Sequence, residues 1–277
     1  MKFTKMHGIG NDYIYINGFE EQVQNPGELS IRLSDRHKGV GSDGLVMILP
    51  SSKADFRMQM FNADGSEAEM CGNAARCIGK YVYEKGLTNK TELTLETLAG
   101  IKTLQLFLDD DNNVVSVTVD MGNPELEPSK IPTTLPGKQI VNFPFSFDGV
   151  NYHITCVSMG NPHTVIFTQN IATLDIETIG KKIENAPIFP RRTNVEFIEI
   201  IDKGRIKMRV WERGSGETMA CGTGACASVV AGVLNELVSR KATVELLGGN
   251  LEIEWNENDD HVYLTGPAET VFEGEIF

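Results

Sequence analysis

The sequence lacks the features that mark membrane-bound, secreted and nucleic-acid-binding proteins. It has no apolar run close to the roughly 18 residues that a membrane-spanning helix needs. Its first residues, Met1–Gly8, have no apolar core of the kind that a signal peptide carries. Its net charge is −13 and it has no cluster of Lys and Arg, whereas phosphate binding requires a concentrated positive patch. We therefore expect a cytoplasmic protein with no membrane partner and no nucleic-acid partner.

The cysteines and histidines lack the spacings of metal sites and of disulfide frameworks. There are five of each, with no CxxC pair and no HExxH sequence, and an odd number of cysteines fits poorly with a set of disulfides. We therefore expect reduced thiols and no metal ion. Three thiols fall in predicted helix faces or in a strand, which predicts small buried core residues: Cys77, Cys156 and Cys226.

A nucleotide cofactor is also not expected. Gly39–Gly44 matches the pattern G-x-G-x-x-G, but the residues that follow, Leu45–Leu49, form a strand-like run where a dinucleotide site requires a helix. No Walker sequence is present.

What the sequence does contain is an internal repeat with an offset of 150 residues. The matching positions are Gly10-Asn11 with Gly160-Asn161, Met58 with Met208, Phe61 with Trp211, Cys71-Gly72 with Cys221-Gly222, and Ala75 with Ala225. A shared offset with no net gap over most of a domain indicates gene duplication. A chain of 277 residues that is 41% hydrophobic and 23% charged is typical of a soluble globular protein of about two domains.

Short apolar and β-branched runs in both halves predict strands. They are Tyr13–Ile16, Leu45–Leu49, Phe56–Phe61, Glu92–Leu95, Lys102–Leu108 and Val114–Val119, then His153–Val157, Val165–Thr168, Val195–Ile200, Ile206–Trp211, Ala242–Leu247, Leu251–Trp255 and His261–Leu264. After each Cys-Gly step the period becomes helical, from about Asn73 to a stop at Gly86, and from Cys226 through Leu237. The second helix is apolar around most of its circumference, which predicts a helix that is surrounded by its sheet.

A proline-rich stretch from Gly122-Asn123-Pro124 to Pro136-Gly137 predicts the linker between the halves. The predicted domains are residues 1–121 plus 267–277, and residues 122–266. The last ten residues, Ala268–Phe277, belong to neither repeat, and we expect them to return and pair with the first domain.

Each matched thiol, Cys71 or Cys221, lies between a predicted strand and the first turn of a helix. The free amide groups and the dipole of a helix N-terminus favour an anion, so this position predicts a lowered thiol pKa and a carboxylate held nearby. Inverting a carbon next to a carboxylate requires a base on one face and an acid on the other. A thiolate and a thiol fill those roles without metal, flavin or pyridoxal phosphate.

Several spaced blocks of the sequence resemble the diaminopimelate epimerase family. They are Met6–Tyr13, Phe61–Glu67, Met70–Cys77, Gly160–His163, Trp211–Gly214 and Ala220–Gly224. The resemblance runs nearly end to end. It implies interconversion of LL- and meso-2,6-diaminopimelate in lysine and peptidoglycan precursor synthesis, a small amino-acid substrate, no cofactor and a homodimer. It also implies an α/β fold of the α+β type: two pseudo-symmetric domains, each a mainly antiparallel sheet around a central helix, with the active site in the cleft between them.

The resemblance also assigns roles to residues of this sequence. It implies that Cys71 and Cys221 are the acid/base pair, assisted by His163 beside Cys71 and by Glu212 beside Cys221. It implies that Gly72-Asn73 and Gly222-Thr223 hold the reacting carboxylate. The residues implied to bind the remote end of the substrate are Asn11, Asn62, Asn161, Asn194 and Arg213, with Glu212 also in contact. One departure is Gly44, where a number of relatives have glutamine.

Two other readings of the thiol pair stay open at this point. One is a related two-cysteine racemase of the proline type. The other is a protein without this activity, either an amino-acid-binding scaffold or a redox switch that closes a disulfide between Cys71 and Cys221.

Overall fold

The computed structural model describes residues 1–147 and 149–277, and the chain divides into two compact units. The first unit contains Met1–Asp120 and Thr265–Phe277, and the second contains Met121–Leu264. Both units combine several strands with few helices, which is the α+β class that the sequence predicted.

The first unit has eight strands before the boundary, one strand after it, and two helices. In chain order its elements are β1 (Lys2–Gly8), β2 (Asn11–Asn17), α1 (Pro26–Ser34), β3 (Gly44–Leu49), β4 (Phe56–Asn62), β5 (Glu67–Ala68), α2 (Gly72–Glu84), β6 (Glu92–Thr97), β7 (Gly100–Leu108) and β8 (Val114–Asp120). The second unit follows with β9 (Phe143–Phe147), β10 (Val150–Ser158), β11 (Pro162–Phe167), a short 3-10 helix (Ile171–Thr173), α3 (Ile176–Glu184), β12 (Asn194–Asp202), β13 (Arg205–Glu212), β14 (Gly216–Glu217), α4 (Gly222–Leu234), β15 (Lys241–Leu246) and β16 (Gly249–Trp255). Strand β17 (Val262–Gly266) crosses the boundary, and β18 (Glu269–Glu275) ends the chain in the first unit.

The sheet of the first unit wraps around α2. Its strands run in the order β18-β1-β2-β3-β4-β6-β7-β8, antiparallel except for the pairs β2–β3 and β4–β6. Helix α2 contacts β1 near one end of this order and β7 and β8 at the other, so the sheet must curl around it. On the opposite face, Leu29 and Leu33 of α1 pack against Ile14, Leu45 and Phe61.

The second unit repeats this arrangement around α4. Its strands run in the order β9-β10-β11-β12-β13-β15-β16, and the pairs β11–β12 and β13–β15 are parallel. The register also repeats at the same offset, because Tyr13 lies opposite Gly44 and His163 lies opposite Asn194. Both helices of each unit begin and end 150 residues apart from their counterparts. This identity of topology and register supports the duplication.

The predicted strands and the two central helices are present, with ends that differ by a few residues. The prediction for the last ten residues is confirmed, since β18 pairs with β1 from Lys2–Glu275 to His7–Glu269. The helical run to Leu237 is wrong at its end: α4 stops at Leu234, Glu236 adopts a φ of 61°, and Leu237 lies beyond the helix. A residue in the left-handed region ends a helix because the next amide can no longer continue the ladder.

Two short helices and three strands were missed. The helices are α1 and α3, the strands are β1, β5 and β9, and strand β14 and the short 3-10 helix were also not predicted. Helix α1 begins with Pro26 at its first turn, and α3 is capped by Asp175, whose side chain accepts a hydrogen bond from the Thr178 amide. These caps were the available signals, but nine residues are too few to show a clear helical period.

Candidate active site

The two matched thiols occupy the same position in equivalent helices. Cys71 and Cys221 are the N-cap residues of α2 and α4, each of 13 residues, and both have extended backbone angles. Their carbonyl groups accept the first helical hydrogen bonds, from Ala75 at 2.9 Å and from Ala225 at 3.0 Å. The free amides at each helix start are therefore placed beside a sulfur atom, where they can hold an anion.

In the first unit, the thiol lies beside two asparagine side chains. The Cys71 thiol donates to Asn11 Oδ1 at 3.6 Å, and Asn73 Nδ2 donates to the same oxygen at 3.0 Å. The other end of the Asn11 amide donates to Asp43 Oδ2 at 2.8 Å. Three predicted residues are thus brought together, and Asp43 fixes which end of the Asn11 amide faces the thiol.

A buried arginine supports the start of α2. Arg76 has no exposed surface, and it donates to Asn73 Oδ1 at 3.0 Å, to the Gly72 carbonyl at 3.2 Å and to the Pro267 carbonyl at 3.1 Å. Because Arg76 occupies Asn73 Oδ1, the amino group of Asn73 is the end that faces Asn11. Neither Arg76 nor Asp43 was predicted from the sequence. A charged residue inside the apolar helix after a Cys-Gly step was the available signal for Arg76.

In the second unit, four hydrogen bonds connect a buried carboxylate to the thiol. Glu196 Oε1 lies 2.7 Å from His163 Nδ1, and His163 Nε2 lies 3.0 Å from Asn161 Oδ1. Asn161 Nδ2 donates to Thr223 Oγ1 at 3.2 Å, and Thr223 Oγ1 lies 3.6 Å from Cys221 Sγ. Glu196 was missed by the sequence analysis, although an acidic residue between Val195 and Phe197 in an apolar strand was a visible signal.

A second carboxylate lies directly beside Cys221. Glu212 accepts hydrogen bonds from Thr218 and from the Cys221 thiol. Burial raises the pKa of Glu212, and these two hydrogen bonds and the charge of His163 act in the opposite direction. Glu212 therefore lies within hydrogen-bonding distance of the Cys221 thiol.

The prediction of a lowered thiol pKa is wrong for Cys221. Its side chain is only 4% exposed, and burial, followed by the negative charges of Glu212 and Glu196, raises its pKa well above the ordinary range. Thr223 and the Gly224 amide oppose this shift without reversing it. Desolvation and two nearby carboxylates therefore outweigh the helix N-terminus at Cys221.

The residues implied for the remote end of the substrate are divided between the units. Asn194 Nδ2 donates to the Pro162 carbonyl at 2.8 Å, and its Oδ1 accepts from the Arg213 amide at 2.8 Å. Asn194 therefore positions the backbone of Arg213, whose exposed guanidinium donates to the Arg191 carbonyl at 3.1 Å. Asn62, at the end of β4, donates to Ser66 Oγ at 3.0 Å within a turn and is not joined to the Cys71 group by these contacts.

Gly44 cannot be replaced by a residue with a side chain while the backbone stays in place. A Cβ atom at this position would lie 2.1 Å from the Phe61 carbonyl oxygen and 3.1 Å from Asn62 Cα. The close pairing of β3 with β4 therefore requires glycine at position 44.

The remaining thiols and the other features of the described chain offer no second candidate for the chemistry. Cys77, Cys156 and Cys226 are buried, as expected, and burial raises the pKa of Cys77 to about 11 and that of Cys156 to about 12. Among the described residues, no group of three His, Cys, Asp or Glu side chains could hold a metal ion. In the same residues, no helix is long and apolar enough to cross a membrane. A cavity of about 480 Å³ lies between the second unit's sheet and α3, but none of the predicted site residues lines it.

The sequence matches the model of the family described as diaminopimelate epimerase over residues 3–127 and 155–271. A diaminopimelate epimerase of Acetivibrio thermocellus is 59% identical over 276 residues, covering 100% of this chain and 98% of the relative. A diaminopimelate epimerase of Methanococcus maripaludis is 58% identical over 276 residues, covering 100% of this chain and 99% of the relative. Among solved structures, a PhzF-family phenazine biosynthesis protein of Bacillus anthracis has a TM-score of 0.73 at 16% identity, covering 100% and 99%, which shows a shared fold alone. With its matched thiols, its repeated fold and these relatives, the chain belongs to the diaminopimelate epimerase family and is an isomerase of the epimerase type.

Proposed function

We propose that this chain interconverts LL- and meso-2,6-diaminopimelate by moving a proton at one α-carbon, with Cys71 and Cys221 as the acid/base pair and no cofactor. The observation that carries the proposal is the placement of both thiols as N-cap residues of equivalent helices. The relatives named diaminopimelate epimerase support the choice of substrate.

In the proposed reaction, one cysteine reacts as thiolate and the other as thiol. The thiolate takes the α-proton, which leaves the electron pair of the C–H bond in a planar carbanion conjugated with the carboxylate. The thiol on the opposite face then gives its proton to that carbon. One C–H bond breaks and one forms, and the two sulfur atoms exchange protonation states, so the reverse direction uses the same groups.

The helix starts are proposed to stabilise the charge that develops on the carboxylate. The intermediate has more negative charge on its carboxylate oxygens than the substrate has. The free amides at Gly72-Asn73 and Gly222-Thr223 are proposed to bind these oxygens, and they favour the intermediate over the ground state. Each helix is buried over most of its length, so these donors are held in position before the substrate binds.

Glu212 is proposed to supply and remove the proton of Cys221. Its hydrogen bond with the thiol gives the proton a short path, and burial raises the pKa of its carboxyl group. His163 is proposed to assist the thiols through its contacts with Asn161 and Glu196. The resemblance implies that His163 lies beside Cys71, and we include this position in the proposal.

The remote amino-acid end of the substrate is proposed to bind Asn11, Asn62, Asn161, Asn194, Glu212 and Arg213. An enzyme that inverts one end of a substrate with two similar ends must hold the other through polar contacts of fixed geometry. The planar guanidinium of Arg213 matches a carboxylate, and the Asn194 side chain fixes the backbone from which it extends.

The proposal also includes the assembly and the setting of the enzyme. We propose that residues 1–121 with 267–277 form one domain, that residues 122–266 form the other, and that the substrate binds in the cleft between them. We further propose that the protein is a cytoplasmic homodimer whose product serves lysine and peptidoglycan precursor synthesis.

Incubation with LL-diaminopimelate in heavy water tests this function. We expect deuterium at one α-carbon together with formation of the meso isomer, measured by mass spectrometry and chiral chromatography. L-Proline in the same assay is the control for a proline-type racemase. Inversion of proline but not of diaminopimelate would contradict the proposed substrate, and no exchange with either would favour a scaffold or a redox switch.

A further inference from the structure

Glu196 is a buried acid at the centre of the second unit. Its side chain is fully buried on β12, and so is that of His163, its ion-pair partner at 2.7 Å. The second carboxylate oxygen, Oε2, has no hydrogen-bond partner among the described residues. A buried carboxylate is costly unless a partner compensates it, and His163 is the partner that the structure places beside Glu196.

The hydrogen bonds around His163 define how many protons the ring carries. Nδ1 faces Glu196 Oε1 and Nε2 faces Asn161 Oδ1, and both of these oxygens are acceptors. The other end of the Asn161 amide, its amino group, donates to Thr223 Oγ1 at 3.2 Å. With Glu196 ionised, both ring nitrogens donate, which gives the imidazole two N–H groups and compensates the carboxylate.

The same chain of contacts determines where the Thr223 hydroxyl proton points. Thr223 Oγ1 already accepts from Asn161, so its own hydrogen is free to be donated to Cys221 Sγ, 3.6 Å away. A hydroxyl that donates to sulfur stabilises the thiolate that forms each time Cys221 gives up its proton. The orientation set at Glu196 thus reaches the second thiol through three other side chains.

The carboxylate of Glu196 fits against the start of α4 because residue 224 has no side chain. A Cβ atom on Gly224 would lie 2.8 Å from Glu196 Oε1 and 3.2 Å from Cys221 Sγ. Glycine at this position of α4 lets the carboxylate approach the helix start. The equivalent positions in the first unit are Val46 for Glu196 and Tyr13 for His163, which provide no such chain.

We propose that Glu196 is a positioning residue of the epimerisation site: it holds His163 protonated on both ring nitrogens and, through Asn161, directs the Thr223 hydroxyl toward Cys221. This inference rests on the proposed function, but its first test does not depend on activity.

The first test is NMR of the unmodified protein labelled with ¹⁵N in its five histidines, with the His163 signal assigned by comparison with His163→Gln. At neutral pH we expect both ring nitrogens of His163 to carry a proton. In Glu196→Gln we expect one of these protons to be lost, because an amide no longer requires a charged partner. A neutral His163 ring in the unmodified protein overturns the proposal, whether or not Glu196→Gln folds.

The second test is the kinetics of the same variant on LL-diaminopimelate. We expect Glu196→Gln to lower kcat by about 10- to 100-fold, the range for losing a charge-assisted hydrogen bond, with little change in KM because Glu196 does not touch the substrate. With a neutral ring, Asn161 can turn its amino group to His163, and Thr223 then donates to Asn161 instead of to the thiolate.

Two further variants serve as controls. Glu196→Asp keeps the carboxylate and should recover part of the loss in kcat. Glu199→Gln removes the same charge three residues along β12, where the side chain accepts from the Ile171 amide at 3.1 Å, and should retain normal kinetics. Unchanged kcat in a folded Glu196→Gln overturns the proposal. Failure of the unmodified enzyme to epimerise diaminopimelate would instead contradict the proposed function and leave the NMR result to decide this inference.

Discussion

The two units place equivalent asparagines beside equivalent thiols but turn their amides in opposite directions. In the first unit, the Asn11 oxygen faces Cys71 and Asn73, while its amino group faces Asp43. In the second unit, the Asn161 amino group faces Thr223, while its oxygen faces His163. The duplicated backbone is the same, so the difference comes from the group behind each amide: an acceptor in one unit and a donor in the other.

The buried charges near the two thiols differ in the same way. A cation, Arg76, lies beneath the start of α2, and its equivalent in α4 is the uncharged Cys226. Two carboxylates, Glu196 and Glu212, lie near Cys221, whereas the equivalent positions of the first unit are Val46 and Asn62. Duplication therefore supplies two similar sites, and substitutions around them make the two thiols chemically unequal. Unequal thiols suit a reaction in which one must start as acid and the other as base.

The largest expected effect comes from removing either thiol. Cys71→Ala and Cys221→Ala should each lower the epimerisation rate by about 10²- to 10⁴-fold, because inversion needs an acid and a base on opposite faces. The measurement is the rate of meso isomer formation, with circular dichroism to verify folding. Cys226→Ala, in the same helix as Cys221, is the control and should remain active. A near-normal rate in either Cys71→Ala or Cys221→Ala would contradict the proposal that each unit contributes one acid/base thiol.

A smaller effect is expected on stability when the buried charge of the first unit is removed. Arg76→Met should lower the free energy of unfolding by about 3 kcal/mol, since it leaves the Asn73, Gly72 and Pro267 oxygens without their donor. Cys226→Ala, at the equivalent position, should cost only about 1 kcal/mol. Urea unfolding of both variants measures the difference. Equal losses would mean that Arg76 does not support the helix start.

The smallest effect concerns one buried thiol from each unit at alkaline pH. Burial raises the pKa of Cys77 to about 11 and that of Cys156 to about 12, from an ordinary value of 9.0. Between pH 9 and these values, each of the two thiols ionises in the unfolded chain but stays protonated in the folded chain. The stabilising contribution is therefore complete below pH 9 and is lost as pH rises, by about 1.4 kcal/mol per pH unit for each thiol.

The change in unfolding free energy between pH 7.5 and pH 10.5 measures this effect. In Cys77→Ala and in Cys156→Ala, the alkaline loss should be smaller than in the unmodified protein by about 2 kcal/mol. Comparing each variant with itself at the two pH values removes the cost of the substitution. An unchanged alkaline loss in one variant would show that its unit opens to solvent before the thiol ionises.

Parts of the site were predictable because they depend on neighbours in sequence. The change from strand period to helix period after Cys71 and Cys221 located both N-caps, and the shared offset linked them. Helices α1 and α3 were missed because nine residues show too little periodicity. Asp43, Arg76 and Glu196 were missed because a charged residue in a sequence is usually a surface residue, and nothing local shows that it is buried.

By itself, the sequence determined the duplication, the central helices, the thiols at their starts and the kind of chemistry that such a pair supports, since each of these follows from spacing along the chain. Only the tertiary structure decided which way the Asn11 and Asn161 amides turn, that Cys221 has a raised pKa, and that Glu196 connects to it through His163. These properties depend on burial and on side chains brought together from distant strands, and hydrogen-bond direction and desolvation have no counterpart in sequence spacing.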